Sequence, residues 1–110
     1  MTRRYIWDPA TRAVTVNVDG HKRQLKHVVR HSPDGFHCGY CGSGPADLSL
    51  SILHDCLTDR EAEEWYQRFK ADAVANLYPG EAWEITEEGV RYWLAMRRSE
   101  ARAIKAALAK

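Results

Sequence analysis

The N-terminal third of the chain alternates apolar and polar residues at the period of a β-strand. In residues 13–18, AVTVNV, a valine recurs at every second position, which is typical of a strand with one buried face. Residues 4–7 form a similar segment, and Asp8-Pro9 after it signals a turn. We therefore predict a β-hairpin that ends at Asp19-Gly20, followed by further short strands over residues 25–30 and 36–40.

From residue 44 onward the pattern changes to that of helices, and the first is predicted near 45–57. Gly44 suits the N-cap, Pro45 the first helical position and Asp47 the third, where a carboxylate meets the positive helix end. Residues 48–52, LSLSI, alternate like a strand. The continuation of apolar residues to Leu57 and the N-terminal signals favour a buried helix instead.

Two further helices are predicted near 59–77 and 87–108. Thr58 and Glu61 have the spacing of a capping box, and Thr86 caps the last helix. Residues 83–85 are predicted to connect these two helices by crossing the protein. The predicted core positions of the second helix lie on one arc: Ala62, Trp65, Tyr66, Phe69, Ala73 and Leu77. The last helix carries one apolar stripe: Val90, Trp93, Leu94, Ala101, Ile104 and Leu108.

Strands come first and helices follow, which favours an α+β fold over a parallel βαβ sheet. The predicted architecture is a small antiparallel sheet, made of the N-terminal hairpin and short strands, packed against three helices. The 110 residues, 45% of them hydrophobic, suit a single domain over 1–110. Within it, residues 1–44 form the strand and loop region and residues 45–108 the three-helix region.

The net charge is only +1, but its distribution along the chain is uneven. Residues 1–31 carry +5, residues 32–90 carry −9 and residues 91–110 carry +5. In one interpretation the basic ends fold against the acidic middle. In the other they form a patch for a nucleic acid or a nucleotide. Four basic residues lie on one side of the last helix: Arg91, Arg98, Arg102 and Lys105.

The three cysteines cannot all pair within one chain, so reduced thiols are expected. The chain shows no secretory signal and no apolar run long enough to cross a bilayer, so we expect a cytoplasmic protein without membrane contact. Four residues have the chemistry of zinc ligands: Cys38, Cys41, His54 and Cys56. Zinc is the weaker alternative, because side chains two apart on a helix diverge by about 200°.

The glycine-rich start of the first helix is the main candidate site. Glycines let a backbone approach a ligand, and free N–H groups with the helix dipole favour an anion. The alternative is a tight loop-to-helix turn with no ligand. We expect the following residues to bind a small anionic or nucleotide-like ligand: His31, Tyr40, Gly42, Ser43, Gly44, Ala46, Asp47 and Arg97. Arg97 lies within the apolar stripe, where an arginine most often extends past the edge of the core and less often is a buried ion-pair partner or a ligand clamp.

The run HSPDGFHCGYCGSGPADLSLSIL, residues 31–53, with aromatic positions up to residue 94, resembles a small domain family of unknown function. That family occurs in bacteriophages, prophages and other mobile elements, and its hallmark is similar to HSPTGFEWGYGGSGPAQLALAIL. This chain has Cys38 in place of the family's tryptophan and Cys41 in place of its middle glycine. The resemblance implies an origin and a fold, and no established activity.

Together these observations predict a phage or mobile-element accessory protein rather than an enzyme, with no cofactor. The first hypothesis is a non-catalytic binder of a nucleotide-like anion in a counter-defence role. The second is a protein-interaction inhibitor of a host defence protein or a nucleic-acid-handling protein, acting through a surface that includes the charged third helix. The third is a small zinc-binding nucleic-acid module.

Overall fold

Two strands near the N-terminus pair as the alternating valines predict. In a computed structural model that describes residues 2–109, β1 (Arg3–Asp8) and β2 (Ala13–Val18) run antiparallel. The four inward-facing residues of this hairpin are buried and pair across the strands, Tyr5 with Val16 and Trp7 with Val14. The hairpin therefore supplies one continuous apolar face.

The third strand lies earlier in the chain than predicted. β3 spans His21–Gln24 and pairs with β2, whereas residues 25–30 form no strand. The cause is a two-residue turn in which Asp19 and Gly20 both have positive φ, at 52° and 90°. Such a turn places the next residue directly opposite Val18 and starts pairing at once. All four residues of β3 are exposed, so no hydrophobic pattern marked this strand.

A fourth strand, β4 (Glu84–Thr86), completes an antiparallel sheet of order β3-β2-β1-β4. The sequence predicted only a crossing segment here, because three residues are too few for an alternating pattern to stand out. The strand predicted over 36–40 is wrong, because this segment pairs with no strand. Phe36 and Cys38 nevertheless face the core, and the Gly39 amide donates to the carbonyl of Val74 at 3.0 Å.

The helices are α1 (Ser43–Cys56), α2 (Asp59–Asp72) and α3 (Glu87–Leu108). The Thr58 capping box is present at α2, and Thr86 caps α3. The α+β architecture is thus confirmed. The second helix ends earlier than predicted, because the backbone leaves helical geometry at Ala73 and continues as a 3₁₀ turn over Val74–Asn76. None of these helices is long and apolar enough to span a bilayer.

Helix α1 runs through the centre of the protein, with every residue from 44 to 53 buried. Its apolar residues pack with the inner face of the sheet in one core. The serines that gave residues 48–52 a strand-like alternation form internal hydrogen bonds: Ser49 donates to the Pro45 carbonyl at 2.8 Å, and Ser51 accepts from the Val28 amide at 2.9 Å. Satisfied in this way, buried serines are compatible with a fully buried helix.

Candidate functional site

Helix α1 begins two residues earlier than the sequence predicts. Its N-cap is Gly42, and the Gly42 carbonyl accepts from the Ala46 amide at 3.0 Å. Pro45 is therefore the third helical residue and Asp47 the fifth, so the predicted cap at Gly44 is wrong. The shift rotates Asp47 away from the helix end and into the protein, where its side chain is fully buried.

The Asp47 carboxylate is engaged by the loop that precedes α1. One oxygen accepts from the His31 amide at 2.9 Å, and the other accepts from the Ser32 amide at 3.0 Å and from His27 Nε2 at 2.9 Å. The Arg30 amide lies 3.2 and 3.3 Å from the two oxygens. Every lone-pair direction of this carboxylate is therefore used within the chain. Asp47 anchors residues 27–32 to α1.

The ionised form of Asp47 is favoured despite its burial. Burial by itself would raise the pKa of Asp47, but the hydrogen bonds from His27 and from the three backbone amides outweigh it, so the pKa lies below its usual range. A buried anion that accepts several N–H bonds in this way stabilises the fold rather than offering a free acceptor to a ligand.

The first turn of α1 retains two free backbone donors. Neither the Ser43 amide nor the Gly44 amide has an acceptor among residues 2–109, whereas Pro45 has no N–H and Ala46 bonds internally. A Cβ placed on Gly44 would lie 2.7 Å from His37 Cβ, so the preceding loop packs directly on this glycine. The glycine-rich segment thus serves the tight turn, and it also leaves a pair of donors at the positive end of a helix.

Tyr40 borders these donors and is 46% exposed. Its ring stands edge-on to His37, with ring centroids 5.2 Å apart, and a Cβ on Gly42 would collide with the Tyr40 ring. Ser43 and Cys41 are also exposed beside it. The fold thus brings together Tyr40, Gly42, Ser43 and Gly44 of the predicted anion-binding site, which we call the cradle.

Two residues predicted for the cradle form contacts elsewhere. His31 Nε2 lies 2.8 Å from the Tyr66 hydroxyl on α2, and the two rings stack. Arg97 Nε lies 2.9 Å from an Asp72 oxygen, and its guanidinium also bonds Glu100. Arg97 is therefore an ion-pair partner that ties α3 to the end of α2, the second of the roles left open by the sequence.

The four residues of the weaker zinc alternative lie in different surroundings in the part of the chain that the structure describes. No group of metal-ligating side chains within residues 2–109 is arranged to hold an ion. Both nitrogens of His54 lie 2.8 Å from carboxylates, those of Asp59 and Glu63. Cys38 and Cys56 are buried while Cys41 is exposed, and burial raises the pKa of Cys38 and raises that of Cys56 to about 11. Helical geometry separates His54 from Cys56, as their spacing indicated.

About half of the described lysine and arginine side chains pair with carboxylates of the middle segment. Arg3 and Arg23 both reach Asp55, and Arg30 reaches Glu63. Hydrogen bonds from Arg30 and His54 lower the pKa of Glu63 to about 2. These pairs support the first interpretation of the charge pattern, in which the basic ends fold against the acidic middle.

The predicted nucleic-acid face of α3 is reduced by the same pairing. Arg91 bonds Glu87 and donates to the Cys56 carbonyl, and Arg98 bonds Glu61. Arg102 and Lys105 are exposed and form no ion pair within the described part of the chain. Two free cations are a small footprint, because phosphate-backbone binding scales with the number of charges neutralised.

The distal half of α3, residues 97–108, is the most exposed part of the fold. Only Val90 and Leu94 of this helix are buried, and every side chain from 99 to 109 is exposed. Ile104 is 52% and Leu108 81% exposed although both belong to the apolar stripe. The sequence identified the stripe but not that its distal part lacks a cover. The apolar stripe continues for more than three turns beyond Leu94, and this length was the one feature of the sequence that indicated an uncovered segment.

A groove of about 140 Å³ runs between α2 and this distal half. Six residues line it: Trp65, Arg68, Arg97, Glu100, Ala101 and Ile104. The sequence assigned Trp65 to the core. In the structure Trp65 is only half-buried, and its indole nitrogen is buried without an acceptor among the residues described.

Comparison with known proteins gives one match. The model of a family of unknown function, DUF6166, matches residues 8–96. No curated protein and no solved structure matches the chain. The match begins at the last residue of β1 and covers β2, β3, the loop around the Gly42 turn, α1, α2, β4 and the anchored part of α3. It ends where the distal half of α3 begins to project.

Proposed function

The chain belongs to the family of unknown function DUF6166, and from that premise we propose that it is a non-catalytic accessory protein of a phage or mobile genetic element. It acts in the host cytoplasm by stoichiometric binding to a host defence protein, which it blocks. Its principal binding surface is the distal half of α3. The origin rests on the resemblance of residues 31–53 to proteins of mobile elements.

The observation that carries the binding surface is the exposed apolar stripe of the distal half. Ile104 and Leu108 lie on the same line of the helix as the buried residues Val90 and Leu94. Helix segments in small proteins are stabilised mainly by packing of their apolar face, so an uncovered stripe costs free energy that a partner recovers. A helix that carries such a stripe is a common recognition element for proteins.

Non-catalytic action is supported by how the chain uses its reactive side chains. Asp47 is fully engaged in hydrogen bonds within the fold, and His54 lies between two carboxylates. Two of the three thiols are buried with raised pKa values, which leaves little thiolate to act as a nucleophile. Binding without turnover is the function that needs none of these groups.

A phage-protection assay in defended bacteria tests the proposal with a matched pair of variants. Ile104→Ser/Leu108→Ser removes the stripe, and Met96→Ser removes an apolar residue of similar exposure, 54%, from another side of the same helix. We expect the native protein and the Met96 variant to protect the phage in proportion to their expression, and the stripe variant to fail. Protection by the stripe variant, or by protein far below the level of its target, contradicts the proposal.

A second candidate function is the anion cradle at the start of α1. The unbonded amide of the exposed Ser43, next to the exposed Tyr40, favours it. A thermal-shift panel of nucleotides and cyclic nucleotides tests it, because a ligand at about 100 times its Kd stabilises the native state by about 2.7 kcal/mol. The cradle predicts a shift that Gly44→Val abolishes. A flat panel, with protection dependent on the α3 stripe alone, leaves the protein-binding proposal standing and removes the cradle.

A further inference from the structure

The distal half of α3 presents three faces of different chemistry. At about 100° per residue, the side chains of Ala101, Ile104 and Leu108 fall within an arc of about 60°. We call these three residues the distal stripe. All of them are exposed. The stripe continues the groove formed with Trp65 and Arg68 of α2, so an occupant can lie along α3 and reach α2 at one end.

The two flanks of the distal stripe differ in charge. One flank carries Arg98, Arg102 and Lys105, and the last two have no carboxylate partner among residues 2–109. The other flank carries Glu100, already paired with Arg97, and otherwise small apolar residues. An occupant of the stripe therefore meets positive charge on one side only.

This asymmetry disfavours a second copy of the chain. In an antiparallel helix pair, the two-fold axis places each flank beside the same flank of the partner, so Arg102 and Lys105 would meet their own counterparts. Like charges facing each other across a helix pair destabilise that pairing. In a parallel pair the basic flank would meet the flank of Glu100, whose carboxylate is already engaged.

Nucleic acid is also a poor fit to this surface. The exposed apolar side chains of Ile104 and Leu108 lie between the basic flank and the groove. A nucleic acid bound to the flank would place its charged phosphates next to these apolar side chains. Arg98 is bonded to Glu61, which leaves two free cations on the flank. The surface combines a modest positive charge with an apolar line, which is the pattern of a helix-binding face.

We infer that the distal half of α3 binds an amphipathic helical segment of its partner protein, whose apolar residues cover the distal stripe and whose carboxylates face Arg102 and Lys105. This inference rests on the proposed function, because it identifies the chemistry of the partner at the same surface. It also gives the groove a role: the end of the bound segment packs beside Trp65. The partner's acidic flank sets the orientation in which the segment lies.

Synthetic helices provide the test with the full chain. One peptide of about 20 residues carries leucines on one face and glutamates along the flanks, and a second has lysines in place of the glutamates. By calorimetry we expect the glutamate peptide to bind at least about tenfold more tightly than the lysine peptide, with an affinity that falls as salt rises. Ile104→Ser/Leu108→Ser should abolish binding, and Met96→Ser should leave it unchanged.

A charge exchange makes the test specific. Arg102→Glu/Lys105→Glu should reverse the preference, so that the lysine peptide becomes the tighter ligand. Both side chains are exposed, so the variant is expected to fold normally, which its thermal unfolding verifies. Equal affinity for the two peptides, or no binding of either, overturns the inference.

Two other occupants would be recognised directly. Concentration-dependent dimers in sedimentation, lost in Ile104→Ser/Leu108→Ser, would show that a second copy covers the stripe. Binding of a duplex oligonucleotide, lost in Arg102→Glu/Lys105→Glu, would show a nucleic-acid surface. Either outcome overturns the inference. If the stripe is needed in the phage-protection assay but the peptides show no charge preference, this inference fails while the proposed function survives.

Discussion

Replacement of Asp47 by asparagine tests whether the carboxylate, rather than its shape, holds the loop before α1 in place. In the native protein its two oxygens accept from the amides of Arg30, His31 and Ser32 and from His27. Asparagine has nearly the same volume but only one acceptor oxygen. Its NH₂ group would face backbone N–H groups that are themselves donors. In its best orientation the new amide donates to His27 and leaves the Ser32 N–H without an acceptor.

The magnitude follows from these bonds. A hydrogen bond to a charged acceptor contributes about 1.5 to 3 kcal/mol and one to a neutral acceptor about 1, while an orphaned buried donor costs about 1 to 3 kcal/mol. Weakening of the remaining bonds and loss of one acceptor together predict a destabilisation of about 3 kcal/mol, a large share of the about 5 to 15 kcal/mol by which a domain of this size is stable. With an unfolding entropy of about 2.1 cal/mol/K per residue, Asp47→Asn should lower the melting temperature by about 13 °C.

Urea unfolding of the native protein, Asp47→Asn and Asp34→Asn measures this difference. Asp34 lies exposed in the same loop, so the same substitution there should change stability by less than about 0.5 kcal/mol. Hydrogen exchange adds a local readout, because the amides of residues 30–32 should exchange faster in Asp47→Asn than in the native protein. A loss of less than about 1 kcal/mol, with these amides still protected, would refute the reasoning.

The pH dependence has a defined sign. The folded pKa of Asp47 lies below the unfolded value of about 3.9, so its contribution is complete above that pH and is lost as the pH falls through the folded pKa. Asparagine has no such titration. The stability difference between native protein and variant should therefore be constant near neutral pH and narrow below about pH 4. A difference that widened in acid would contradict this assignment.

Three further predictions test the surroundings of the candidate site. In native protein a thiol reagent should label Cys41 rapidly and the two buried cysteines only on unfolding; rapid labelling of a second thiol would be inconsistent with the fold. Gly44→Ala should lower stability by about 1 to 3 kcal/mol because its Cβ would lie 2.7 Å from His37 Cβ, whereas Ser43→Ala at the exposed neighbour should not. Glu63→Gln should remove the stabilisation that the ionised Glu63 carboxylate contributes. Because the folded pKa of Glu63 is about 2, this contribution is present above about pH 4 and disappears as the pH falls towards about 2, so the free energies of unfolding of the variant and the native protein should converge there.

The candidate site could be predicted in part. Features that depend on neighbouring residues were predicted, and features that depend on contacts between distant residues were not. The glycine-rich loop and the helix behind it were predicted because proline and glycine act on their own backbone. The position of Asp47 was not, because a shift of two residues in the helix start turned its side chain from the helix end to the interior. Its four donors come from residues 15 to 20 positions earlier, and no local pattern encodes that encounter.

The role of Arg97 also depends on a contact that the sequence does not show. Its place within an apolar stripe was evident, but its partner Asp72 became known only from the approach of α3 to the end of α2. The groove beside Trp65 depends on the same crossing. A stripe in the sequence states that a face is apolar, and it does not state whether another element of the fold covers that face.

The sequence by itself determined the elements whose causes are local: the β1–β2 hairpin from alternating valines and turn residues, and the starts of α2 and α3 from capping threonines. The tertiary structure alone decided the edge strand β4, the end of α2 and the role of Asp47. These depend on contacts between distant residues, which form only when the whole chain has collapsed around α1. The uncovered distal half of α3 belongs to the second group, because exposure is a property of the assembled fold and not of any segment within it.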